Sequence, residues 1–147
     1  MDIKAKRQEG ASAVEFALVL PLLLILVFGI IEFSILFYDK AMITNASREG
    51  AREGIVYRYD PDGGLNHPDD AEIVATVAQY VQNHLISFVA SDVVTTTIKR
   101  PGDSPGDPLT VTVNYDYNFL VFDSLLSLVG GSLDEISLDA VTIMRLE

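Results

Sequence analysis

The chain is poor in the groups that most often do chemistry. None of its 147 residues is cysteine, which excludes disulfides and thiol catalysis but leaves the redox compartment open. Its two histidines, His67 and His84, have no carboxylate at metal-ligand spacing, so no metal site is read here. There is no phosphate loop, dinucleotide fingerprint or nucleophile motif, so neither an enzyme nor a cofactor is expected. Basic residues are scarce as well: ten, against twenty-one acidic ones, for a net charge of −11. Residues 1–58 hold seven of each sign, whereas residues 59–147 hold three basic and fourteen acidic side chains. The whole net charge therefore sits in the C-terminal part. That argues against nucleic acid as a partner, because a basic face is the footprint such binding needs.

Long apolar runs are also limited to one, and it dominates the N-terminal part. Phe16–Ile31 carries no charge, and Phe16–Tyr38 is interrupted only by Glu32. At 1.5 Å per residue the longer stretch reaches roughly 34 Å, enough to cross a hydrocarbon core of about 30 Å. Lys4, Lys6 and Arg7 precede it, which puts the N-terminus in the cytoplasm and the acidic part outside. No small-x-small site follows the run, so a retained anchor is expected rather than a conventionally cleaved secretory signal. Pro21 lies inside the run, where a membrane helix tolerates it as a simple kink. Glu32 closes the run and reads as an interface residue.

Beyond Tyr38, Ala46, Gly50 and Gly54 recur every four residues, with Ser47 and Ala51 as a parallel stripe. On a helix these make a flat face that a partner helix can approach closely. Two interior glycines cost about 1 kcal/mol each relative to alanine, so the helix is expected to form packed rather than alone.

DPDGGLNHPDD, residues 60–70, is a turn-rich break. It fails the calcium-loop pattern: counting from Asp60, glycine and glutamate do not fall where that loop needs them. Asp69 or Asp70 can cap a following helix through AEIVATVAQYVQNHLISFVA, with Ile73, Val77, Tyr80, Val81, Ile86 and Val89 as its apolar face. VVTTTIK reads as a strand, RPGDSPGDP as a loop of two Pro-Gly-Asp turns, and LTVTVNYDYNF as a second strand alternating with period two. LVFDSLLSLVGG is a short helix, and ISLDAVTIMRLE closes as a third strand with Ile136, Leu138, Ala140, Thr142 and Met144 on one side. The fold class is thus α+β. A long transmembrane helix leads into a small domain with one helix on a mostly antiparallel three-stranded sheet. The divisions are a leader at 1–10, a transmembrane and extended helix at 11–58, and an acidic extracytoplasmic domain at 59–147.

One short pattern remains: a basic leader, Gly10, four residues, Glu15, Phe16, then an apolar helix with an early proline. It resembles the class III signal of type IV pilin-like proteins. More narrowly, GASAVEFALVLPLLLILVFGIIEFSILFYDKAMITNASREGAR, residues 10–52, is similar to the TadE-like family of minor pilins or pseudopilins of tight-adherence (Tad/Flp) pili. The final Met144-Arg145-Leu146-Glu147 is also similar to the end of such proteins. The resemblance implies a prepilin peptidase that cuts between Gly10 and Ala11, leaving Glu15 and Phe16 at the fifth and sixth mature positions. It further implies assembly with other pilins or pseudopilins and the pilus platform, in contact with inner-membrane lipid, and placement in the bacterial inner membrane and in the pilus. The alternative is a single-pass accessory or scaffold protein that stays in the bilayer. The pilin resemblance implies that Glu15, after cleavage, pairs with the N-terminal amine of a neighbouring subunit. A carboxylate in the first turn of a helix is also favoured by the helix dipole. The structural alternative is that Glu15 merely marks the membrane edge.

Overall fold

One proline in more than fifty residues leaves nothing to end a helix once the apolar run has started it. The computed structural model describes residues 3–59, 63–86, 94–119, 121–127, 130–132 and 135–147. Its first element, α1, spans Ile3–Ile55 and passes through Pro21 unbroken. Two-residue strands β1 (Arg58–Tyr59) and β2 (Leu65–Asn66) pair antiparallel. Then come α2 (Asp70–His84), β3 (Val94–Lys99), β4 (Pro108–Tyr117), α3 (Phe122–Ser127) and β5 (Ile136–Arg145). The chain divides into two compact units: Met1–Ser34 with Phe119–Leu133, and Ile35–Asn118 with Asp134–Glu147.

The larger unit is the expected small α+β domain, joined by the last part of α1. Its sheet has the order β3-β4-β5, antiparallel throughout. On β4 the alternation is complete. Leu109, Val111, Val113, Tyr115 and Tyr117 are all buried, while Thr110, Thr112, Asn114 and Asp116 lie between them only half-buried. Leu138 and Ala140 of β5 are buried on the same side. Ile73, Val77 and Val81 of α2 supply the helical contribution to this core, each worth about 1.5–3 kcal/mol of apolar burial.

The helix α2 starts where the sequence signals it. Asp69 is the cap: its carboxylate accepts from Glu72 N–H at 2.7 Å, and the Glu72 side chain accepts from Asp69 N–H at 3.2 Å. It ends earlier than its apolar pattern suggests. Leu85 N–H closes the last turn on the Val81 carbonyl at 2.8 Å, and Ile86 N–H turns away to the Asp39 carboxylate at 3.0 Å. A long-range acceptor thus captures the amide that would have begun another turn. Val89, assigned to the same apolar face, lies outside the described residues.

The C-terminus is fastened into this unit. Leu146 is buried and exchanges backbone hydrogen bonds with the 106–107 turn, at 2.9 and 3.0 Å. The smaller unit is built from the first part of α1 and the connection between β4 and β5. There Phe33 makes edge-on contacts with Phe119 and Phe122, at ring-centre distances of 6.0 and 6.3 Å.

Candidate functional site

The N-terminal signal sits on a helix stripped of cover. Between Ser12 and Ile31 the side chains of α1 are almost all exposed, among them Phe16, Leu18, Val19, Leu22 and Leu26. Water does not tolerate so long an uncovered apolar face, so the helix is built for lipid or for other helices. Its length and composition are compatible with a single-pass membrane protein.

Gly10 lies within α1, and a Cβ placed on it would meet nothing within 4 Å. Open space around that position leaves the backbone approachable. Ala11 follows on the same helix. The Glu15 side chain is exposed and makes no hydrogen bond or ion pair with another described residue. Phe16 beside it is 61% exposed. The fold therefore leaves the Glu15 side chain without a polar partner and Phe16 uncovered among the described residues.

The small-residue stripe is placed differently. Ala46, Ser47 and Ala51 are fully buried. A Cβ on Gly50 would stand 2.5 Å from Val77 Cγ2 and 3.5 Å from Val111 Cγ1. On Gly54 it would stand 2.5 Å from Leu109 Cδ2 and 2.6 Å from Ile73 Cδ1. The chain's own α2 and β4 occupy this face. Polar ties flank it: Ser47 Oγ shares a hydrogen bond with Thr142 Oγ1 at 2.7 Å and donates to the Thr44 carbonyl, and Lys40 Nζ donates to the Asp139 carbonyl. On the open side, Glu49 and Arg52 form the i, i+3 pair that their spacing suggests, at 2.6 Å.

Sequence reasoning missed the role of Glu32. Read as an interface residue, it is instead 5% exposed within the smaller unit. Its carboxylate accepts from Val121 N–H at 3.2 Å and from Phe122 N–H at 2.7 Å, covering the start of α3. A hydrophobic helix can hold a carboxyl group when backbone amides take the place of water. No local signal could have shown this, since the donors lie about ninety residues further along the chain.

A groove of about 800 Å³ lies in the larger unit beside β1 and β2. There His67 stacks on Tyr57 at 4.0 Å, and Arg100 donates to the Pro68 carbonyl and pairs with Asp70 and Asp103. Among the described residues no three His, Asp or Glu side chains are grouped to hold a metal ion.

Comparison with known proteins gives one result. No curated protein and no solved structure matches the chain. Residues 10–52 match the model of the family described as TadE-like protein. The matched stretch begins at Gly10, takes in Glu15 and the uncovered apolar helix, and ends within the buried small-residue stripe. That family is associated with pili rather than with a class of enzyme. The match covers the N-terminal third of the chain, and over those residues the chain is similar to TadE-like proteins of Tad pilus systems.

Proposed function

We propose that the chain is a minor pilin or pseudopilin that takes part in assembling a Tad-type pilus for surface attachment or secretion. The observation that carries this is the pairing of the Gly10-to-Glu15 spacing with an apolar helix left uncovered beyond it. The helix holds the subunit in the inner membrane, with residues 1–10 cytoplasmic and residues 59–147 on the far side. A prepilin peptidase removes the leader after Gly10, and the new amine at Ala11 becomes cationic at the positive end of a helix. Glu15 then pairs with the amine of a neighbouring subunit. Because the pair forms at only one helix offset, it sets register as the apolar helices pack side by side.

A second reading has an observation of its own. Phe122 lies against Gly29 of α1, 3.5 Å from a Cβ placed there, and both Phe119 and Phe122 contact Phe33. One side of the helix is therefore already covered and closed to a neighbour. That favours a scaffold protein that stays in the bilayer. Immunoblotting of sheared pili and of membranes from the same cells separates the two. Protein in purified filaments supports the subunit, whereas protein confined to the inner membrane leaves the scaffold.

A further inference from the structure

The connection between β4 and β5 is unusually apolar for a loop. FLVFDSLLSLVGGSL, residues 119–133, carries a single charge, Asp123, in a chain that is otherwise acidic beyond residue 58. Within α3 the side chains sort by face. Phe122, Leu125 and Leu126 fall at i, i+3 and i+4, and Asp123, Ser124 and Ser127 fall on the other side. The aromatic end is fixed to α1: Phe122 approaches Gly29, Phe119 and Phe122 meet Phe33, and Glu32 accepts the Val121 and Phe122 amides.

The depth of that attachment can be worked out from the helix. If the hydrocarbon begins at Phe16, just past the last charge, Gly29 and Phe33 stand about 20 and 25 Å along a core of about 30 Å. The attachment then lies about 5–10 Å inside the far boundary, the depth at which short amphipathic helices rest in an interface. The neighbouring side chains are exposed and apolar: Ile30, Ile31 and Phe33 are 61%, 49% and 44% accessible. The lipid-facing surface of α1 is thus continuous with the attachment point.

We propose that Phe119 and α3 form a second membrane contact, lying in the far leaflet's interface against α1 with lipid as the partner. The inference rests on the membrane-spanning reading of α1. Glu32 is the device that makes it feasible. Its carboxylate supplies acceptors to amides that neither lipid nor a six-residue helix can satisfy, and those amides solvate the carboxylate in turn.

The absence of cysteine makes a direct test possible. Single cysteines replace Leu125, Leu22 in the span, and Ser104 in the aqueous turn of the full chain, and each carries an environment-sensitive fluorophore. The proteins are reconstituted in vesicles whose lipids bear doxyl quenchers either high or deep on the acyl chains. Leu125→Cys should be blue-shifted relative to Ser104→Cys and quenched most by shallow doxyls, whereas Leu22→Cys should be quenched most by deep ones. A Leu125 label reached by aqueous iodide but not by lipid quenchers would overturn the proposal. So would one shielded from both, which would mean that another protein subunit covers α3. If Leu22→Cys itself escaped lipid quenching, the membrane reading would fall, and the proposal with it.

Discussion

Replacing Gly50 tests where the small-residue stripe does its work. Alanine at this position should gain about 1 kcal/mol of helix propensity over glycine. Its Cβ, however, would stand 2.5 Å from Val77 Cγ2, well inside contact distance. Valine on a helix is held close to one χ1 rotamer, so Val77 cannot swing aside and α1 and α2 must part. Overpacking of this kind costs about 1–3 kcal/mol, which leaves Gly50→Ala neutral to about 2 kcal/mol less stable. Gly50→Leu adds three more carbons to the same gap and should lose more than about 3 kcal/mol. Gly54→Ala should be milder than Gly50→Ala. The atoms it meets are the ends of Leu109 and Ile73, each with a further bond to rotate. The assay is urea unfolding of the detergent-solubilised full chain. Tyrosine emission can follow it, since the chain has no tryptophan and Tyr115 and Tyr117 are buried in the sheet. If Gly50→Ala gained the full propensity increment and Gly50→Leu unfolded at the parent midpoint, close packing within the chain would be refuted. Normal unfolding with lost pilus assembly would instead give the stripe to contacts between subunits.

Three further outcomes are expected. The mature chain should begin at Ala11, as read by N-terminal sequencing or intact mass, and Gly10→Lys should leave it beginning at Met1 in cells that have the peptidase. Glu15→Gln should be inserted and cut normally yet fail to co-purify with pilin partners. The lost pair is worth on the order of 1–2 kcal/mol at this partly wet edge, and unchanged assembly would return Glu15 to the role of a boundary marker. Glu32→Ala should speed hydrogen exchange at the Val121 and Phe122 amides, each losing about 1–3 kcal/mol of protection, with Glu32→Gln intermediate because it keeps one acceptor oxygen. Parent-like exchange in Glu32→Ala would show that the carboxylate does not hold α3.

What could be read beforehand was whatever depends on neighbours in the sequence. The period-two pattern of residues 109–117 placed every inward side chain of β4 correctly, because a strand has only two faces and the apolar set picks one. A cap before α2 was legible as Asp69 or Asp70 for the same reason, and it is Asp69, bonded reciprocally with Glu72 three residues on. Legibility failed where a local pattern met a distant partner. Ala46, Gly50 and Gly54 announce a close approach, but spacing does not say whether another subunit or residues 73–111 of the same chain will make it. The end of α2 was missed because Asp39 takes the Ile86 amide from 47 residues away. The pairing of β1 with β2 was missed because two residues per strand leave no periodicity to detect.

The two glutamates of the apolar helix bring that distinction to bear on function. Both face the same problem: a carboxylate next to hydrocarbon is costly unless something replaces its water. For Glu32 the replacement is inside the chain, as two backbone amides, and its burial to 5% is the consequence. Nothing comparable reaches Glu15, which is exposed and without a partner among the described residues. One acid is therefore already spent on internal structure, whereas the described residues offer the other no partner; under the proposed function a neighbouring subunit supplies it. Water at the membrane edge would serve while the subunit stands alone. If helices pack side by side in an assembled pilus that water is displaced, and a cation can take its place. An amine freed at Ala11 of a neighbour is such a cation. On this reasoning Glu15 matters only after assembly begins, which is why its removal should spare insertion and cleavage and still cost the filament.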